Sequence, residues 1–134
     1  MEDYLELIKA HPAFEGITQD DDILWLRKCM DAKVETYERG VTVFREGDEL
    51  SFASIIIEGK ALAVSADGNF VPLSAGDYMF DSMPAGRSLY APYTLLADSD
   101  LTVFSMRVLR LAKLCNFRCV FHAKLLENLK KKFL

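Results

Sequence analysis

Ser54-Ile55-Ile56-Ile57-Glu58-Gly59-Lys60-Ala61-Leu62-Ala63-Val64-Ser65-Ala66-Asp67-Gly68-Asn69-Phe70-Val71-Pro72-Leu73 decides the fold of this chain. Residues 54–62 are β-rich, and Gly59 in mid-run marks a turn or bend. Residues 70–73 pair back across Ala66-Asp67-Gly68-Asn69. An aspartate that bonds its own turn backbone, followed by a glycine free to adopt positive φ, is a strong hairpin signal. Working outward, Gly47-Asp48 and Gly76-Asp77 repeat this punctuation between short apolar strands, at the spacing of a small barrel or sandwich. Val34, Thr36, Val41 and Val43 read as strands around the Arg39-Gly40 turn, and residues 93–96 and 101–106 supply the last strands. Pro84, Gly86 and Pro92 make residues 81–92 a shaped loop and not a strand.

Helices flank this β region. Tyr4, Leu5, Leu7 and Ile8 form a short apolar face that stops near His11-Pro12, because the residue before proline disfavours the helical region. Thr18 is the expected N-cap of a second helix carrying Ile23, Leu24, Leu26 and Met30. Asp20, Asp21 and Asp22 in its first turn complement the helix dipole. Trp25 is expected to pack that helix onto the roll. From Val108 the period is helical again, and Leu109, Leu111, Leu114, Val120, Phe121, Leu125, Leu126 and Leu129 cover one broad face. The predicted organisation is one mainly β domain: helices over residues 1–31, a double-stranded β-helix or jelly roll (cupin-like) over 33–106, and a long C-terminal helix over 107–134. That helix stops without a cap, so the chain is expected to be cut from a longer one.

Composition narrows the function. At 134 residues, 51% apolar and 11% aromatic, the chain buries a real core and is not disordered. A net charge of −4 argues against coating nucleic acid or an anionic membrane through bulk charge. Met1-Glu2-Asp3 is acidic, no apolar run approaches a membrane span, and the 3 cysteines are unevenly placed; no membrane partner and a cytoplasmic location are expected. Metal-dependent cupin chemistry needs converging histidines, and residues 34–106 contain none. No phosphate loop or nucleophile elbow is evident, so no enzyme is expected.

Three motifs then fall in a telling order. Tyr37-Glu38-Arg39-Gly40 precedes Val43-Phe44-Arg45-Glu46-Gly47-Asp48; Ile55-Ile56-Ile57-Glu58-Gly59-Lys60-Ala61 follows; Leu73-Ser74-Ala75-Gly76-Asp77-Tyr78-Met79-Phe80 leads into the loop. From about Phe14 to its last residue the chain resembles the sensor domain of Crp/Fnr-type transcription regulators, within the cyclic-nucleotide-binding-domain superfamily. In nucleotide-binding members a glutamate holds the ribose hydroxyl and an arginine forks onto the cyclic phosphate. Aligned from Gly76-Asp77, the glutamate position falls on Asp81, one methylene shorter. Counted back from Thr102-Val103-Phe104, the arginine position falls near Ala91-Pro92. Arg87, followed by Ser88, comes too early. Members lacking that arginine typically sense something other than a cyclic nucleotide or have lost the pocket.

The resemblance therefore implies an effector-sensing domain that is not a true cyclic-nucleotide binder. An unidentified small molecule would sit between the loop at 76–92 and the C-terminal helix. The domain would form a homodimer through that helix, and DNA would be read only by a C-terminal domain absent from this chain. The alternative is a stand-alone dimeric interaction module with a degenerate pocket. Candidate ligand-binding residues are Tyr78, Asp81, Arg87, Ser88 and Tyr90; Leu114, Phe121, Leu125 and Leu129 are the candidate dimer face. Each has a plainer reading: a solvated loop arginine, a turn-capping aspartate, tyrosines (Tyr93 included) packing at the edge of a roll. Cys115, Cys119 and His122 share one helical face, but a structural zinc wants four ligands, and small thiols pack well in helix interfaces. No metal is expected and no cofactor is indicated. Lys130-Lys131-Lys132 reads as a solvated helix end favoured by the dipole.

Overall fold

The computed structural model describes residues 2–80, 88–112 and 120–133. The strands are β1 (Lys33–Tyr37), β2 (Thr42–Phe44), β3 (Glu49–Leu50), β4 (Phe52–Glu58), β5 (Lys60–Val64), β6 (Phe70–Ser74), β7 (Leu89–Tyr90), β8 (Thr94–Ala97) and β9 (Leu101–Arg107). Helices α1 (Leu5–Ala10) and α2 (Asp20–Cys29), with a 3-10 turn at Pro12–Phe14 between them, precede the roll; α3 (Val108–Leu111) and α4 (Val120–Phe133) follow it. Three antiparallel sheets result, ordered β1-β9-β4, β2-β8-β5-β6 and β3-β7. This is the jelly-roll architecture expected, with helices at both ends.

The decisive stretch folds as its punctuation requires. β5 and β6 pair from Lys60↔Ser74 to Val64↔Phe70, and the turn is closed by Ser65 N donating to Asn69 O at 2.8 Å. Gly59 divides β4 from β5, which lie in different sheets. Its φ is +94°, and a β-carbon there would overlap the carbonyl oxygen of Asp100. The Arg39-Gly40 turn likewise carries the chain between sheets: β1 pairs with β9, whereas β2 pairs with β8.

Pairing partners share a face of a sheet, so the register shows where the core lies. Val34, Ile55 and Phe104 stand together on the face toward the N-terminal helices, where Phe14 meets Phe104 edge-on at 5.6 Å. Glu35, Ile56 and Val103 stand on the opposite face, inside the roll.

Several expectations are corrected. Trp25 is 52% exposed and does not pack on the roll. It lies two residues after Ile23, about 200° round the helix from the buried Ile23 and away from the buried Leu26 and Met30 stripe. Gln19, not Thr18, occupies the N-cap of α2, with no side-chain cap bond; the three aspartates do occupy its first turn. Of the expected C-terminal helix over 107–134, α3 (ending at Leu111, with Ala112 as its C-cap) and α4 (Val120–Phe133) are described, and residues 113–119 lie outside the described residues. Finally, Leu125 and Leu129 do not form an outward dimer face. Both are fully buried within the protomer's own core, where α4 packs against the turn at Pro12–Phe14 and against α2. The apolar stripe was legible in the sequence; the surface it covers belongs to the same chain.

Candidate functional site

The loop expected to hold an effector is anchored by backbone at both of its described ends. On the near side, residues 76–80 run along β4: Gly76 N donates to Ile56 O (3.0 Å), Ile56 N to Asp77 O (2.9 Å) and Met79 N to Ser54 O (3.0 Å). The Asp77 carboxylate accepts from Ser74 N at 2.8 Å and closes the preceding turn, the role for which aspartate suits a Gly-Asp step. On the far side, Ala91 N donates to Asp48 O (2.8 Å), and Gly47 N donates back to Ala91 O (2.9 Å). The Ser88 hydroxyl donates to Glu49 Oε1 at 2.7 Å, tying β7 to β3 through side chains as well as backbone.

Aromatic rings cluster beside the loop's described ends. Phe44 stacks on Phe80 (5.8 Å between centroids, 16° between planes) and meets Tyr93 at 6.0 Å. Tyr78 packs edge-on to Phe80 and touches Phe133 of α4 at 6.0 Å. Thus the last turn of α4 reaches the start of the loop.

His11 joins these parts. Its Nε2 donates to Asp77 O (3.1 Å), its Nδ1 accepts from Ala13 N (3.0 Å), and its ring lies 5.9 Å from that of Phe133. Burial pushes the imidazole below its usual pKa, against a smaller opposing pull from the Asp77 carbonyl. Next to it, the buried Asn128 side chain donates to Ala13 O (2.9 Å) and Glu15 O (2.8 Å), and Lys132 pairs with Glu15. The salt bridge and attendant lysines hold the Glu15 carboxyl below its usual range.

The expected site residues are only partly brought together. Tyr78 is buried, with its ring against those of Phe80 and Phe133. Ser88 faces Glu49, whereas Tyr90 is 67% exposed. Asp81, Arg87 and Leu114 lie outside the described residues, as do Cys115 and Cys119. Phe121 is half-buried against the core. His11 and Asn128 were missed because their partners are 66 and 115 positions away; for Asn128 the available signal was a polar residue on an apolar helical face, and for His11 its place between a helix end and a proline. Cys29 and His122, likewise far apart in sequence, meet with Sγ 3.9 Å from Nδ1. Burial lowers the His122 pKa. Among the described residues no group of three metal-ligating side chains converges.

At the level of sequence, no protein-family model and no curated protein matches the chain. Solved structures do match in shape. A cyclic-nucleotide-binding domain from Methylobacillus flagellatus KT superposes with a TM-score of 0.68 at 14% identity, over 84% of this chain and 65% of that one. The fold is that of a cyclic-nucleotide-binding domain. The N-terminal domain of a transcriptional regulator from Streptomyces coelicolor A3(2) shares this fold (TM-score 0.68, 20% identity, 94% of this chain and 89% of that one). So does the regulatory subunit of a cAMP-independent protein kinase A from Trypanosoma brucei (TM-score 0.69, 19% identity), of which the chain spans 46%. These neighbours are regulatory and binding domains. Among the described residues no helix is long and apolar enough to cross a membrane.

Proposed function

We propose that this chain is the small-molecule effector-sensing domain of a Crp/Fnr-type transcriptional regulator, and that its effector is not a cyclic nucleotide. The observation that carries the second half is Ala91. Near Ala91-Pro92, where the resemblance expects a phosphate-binding arginine, stands the methyl side chain of Ala91, 3% exposed, on a residue whose amide and carbonyl are both spent on the turn at 47–48. A guanidinium cannot project from there, and the stack of Phe44, Phe80 and Tyr93 occupies the neighbouring interior.

The first half rests on the path from loop to helix. Tyr78 and Asp77 touch Phe133 and His11, so an effector that moves the start of the loop changes how α4 seats. It can act only through different affinities for the two seatings. The readout is a homodimer formed through the C-terminal segment and a DNA-reading domain beyond it, in the cytoplasm; no catalytic step is assigned. Because Leu125 and Leu129 are buried in the protomer, dimerisation through them requires α4 to leave the N-terminal helices. The close packing of Phe44, Phe80 and Tyr93 also favours a second reading, a dimeric interaction module with a degenerate pocket.

A thermal-shift screen with cyclic AMP, cyclic GMP and a metabolite panel tests this. A ligand at 100 times its Kd stabilises the fold by about 2.7 kcal/mol. No shift with either nucleotide and a dose-dependent one with another metabolite is expected. A shift with cyclic AMP would overturn the reading of Ala91, and silence throughout would favour the ligand-free module.

A further inference from the structure

β1 turns every second side chain toward the inside of the roll, so Lys33, Glu35 and Tyr37 stand in a row. They line a cleft of about 190 Å³ that is walled by Phe52 and Phe80 and reaches inward to Ser54. That is ample for the ammonium and short chain of a small metabolite.

Lys33 already displays how this cleft treats an ammonium. Its Nζ lies 3.7 Å from Glu35 Oε2 and 4.2 Å from the centroid of the Phe52 ring. The Tyr37 hydroxyl donates to the same carboxylate oxygen at 3.3 Å. A carboxylate beside an aromatic face is the pairing that recognises an organic cation. The Lys33 side chain is 50% exposed and that of Glu35 31%, so the cation in place is held loosely over a more enclosed anion. Arg107 also approaches Phe52, at 4.9 Å, but its Nε donates to Asp31 Oδ2 at 2.6 Å, which anchors it to the end of α2. Glu49 adds a second carboxylate, so among the described lining residues two acids face one base, Lys33. Burial, followed by the charge of Glu35, pushes the Tyr37 hydroxyl up to about 12.

We infer that this cleft binds a primary ammonium carried on a short apolar chain. The incoming ammonium displaces that of Lys33 from Glu35 and Phe52, and the chain lies against Phe80 and Val103. No covalent step is involved.

Calorimetric titration with isoamylamine, against isovalerate as the same-sized anion, tests this on the protein and two variants. Isoamylamine binds and isovalerate does not. Lys33→Ala removes the internal competitor and tightens amine binding about 3- to 30-fold, from the worth of one exposed ion pair and one cation–π contact. Glu35→Gln weakens it at least about tenfold, as loss of a charge-assisted bond does. A gain of affinity in Lys33→Ala cannot arise from unfolding, so that arm stays decisive if Glu35→Gln is unstable. Equal binding of isovalerate, unchanged amine affinity in Lys33→Ala, or no heat with amine in both the unaltered protein and Lys33→Ala would overturn the assignment. None of these outcomes depends on an effector at the loop, which the metabolite panel tests separately.

Discussion

Gly59→Ala is expected to be among the most damaging single-methyl additions in this protein. Two costs combine. With φ at +94°, Gly59 sits where an L side chain is disfavoured by about 1–2 kcal/mol. The added carbon would also overlap the Asp100 carbonyl oxygen and lie 3.1 Å from both Asp100 C and Leu101 Cα. Those are backbone atoms, so relief requires the turn at 98–100 to move. That turn is bound on several sides: Asp98 N donates to Lys60 O (3.0 Å), Lys60 N to Ser99 Oγ (2.9 Å) and Arg39 N to Asp100 Oδ1 (3.1 Å). Overpacking against such a frame costs about 1–3 kcal/mol. The sum, about 2–5 kcal/mol, corresponds to a Tm lower by about 8–20 °C in a chain of this size. Gly68→Ala is the control. Its φ is +87°, but no atom lies within 4 Å of the added carbon, so it carries the conformational cost alone. Thermal unfolding followed by circular dichroism compares the two. Equal losses would refute the claim that close approach of two turns, and not backbone conformation alone, requires glycine at 59.

Three further outcomes are expected. Asn128→Ala removes two hydrogen bonds between α4 and the turn after α1, and should cost about 2–4 kcal/mol in urea unfolding; an unchanged midpoint would mean that α4 is not held there. Ser54 and Ser105 share a buried hydroxyl–hydroxyl bond of 2.7 Å. Either serine changed to valine should cost about 1–3 kcal/mol, while the double variant recovers most of the loss, and simple additivity would contradict the pairing. His11 and His122 both have folded pKa values depressed by burial below the ordinary 6.5. The unfolded chain therefore binds protons first. Stability is full above about pH 6.5 and falls as pH drops from there through the folded values. A Tm that rises between pH 7 and 5.5 would contradict this sign.

Much of this fold was legible because its signals are local. The Asp67-Gly68 turn, the break at Gly59 and the alternation of β1 each depend on a few neighbouring residues. The acids opening α2 were equally readable, although the cap fell one residue later, on Gln19. What local pattern does not contain is the partner. The stripe at Leu125 and Leu129 announces a buried face without saying whether a second chain or the same one buries it. Here the answer lies with Ala13 and Phe14, at the other end of the sequence. Trp25 shows the converse: size suggested burial, yet helical angle places it outside. The candidate cleft was the least legible part, because Lys33, Glu35 and Tyr37 come to line a common space only once Phe52 and Phe80 are folded beside them.

The two bonds made by the His11 ring have a spectroscopic consequence. One nitrogen must carry its proton toward the Asp77 carbonyl while the other receives the Ala13 amide, so the neutral ring is confined to a single tautomer. The two imidazole nitrogens then have well-separated 15N resonances, without the averaging of a freely exchanging ring. Since that ring touches the start of the loop, the first turns of the chain and the end of α4 together, its nitrogen spectrum is a native reporter of all three. With only one other histidine in the chain, the signals could be followed through a titration with unlabelled ligand and no engineered probe.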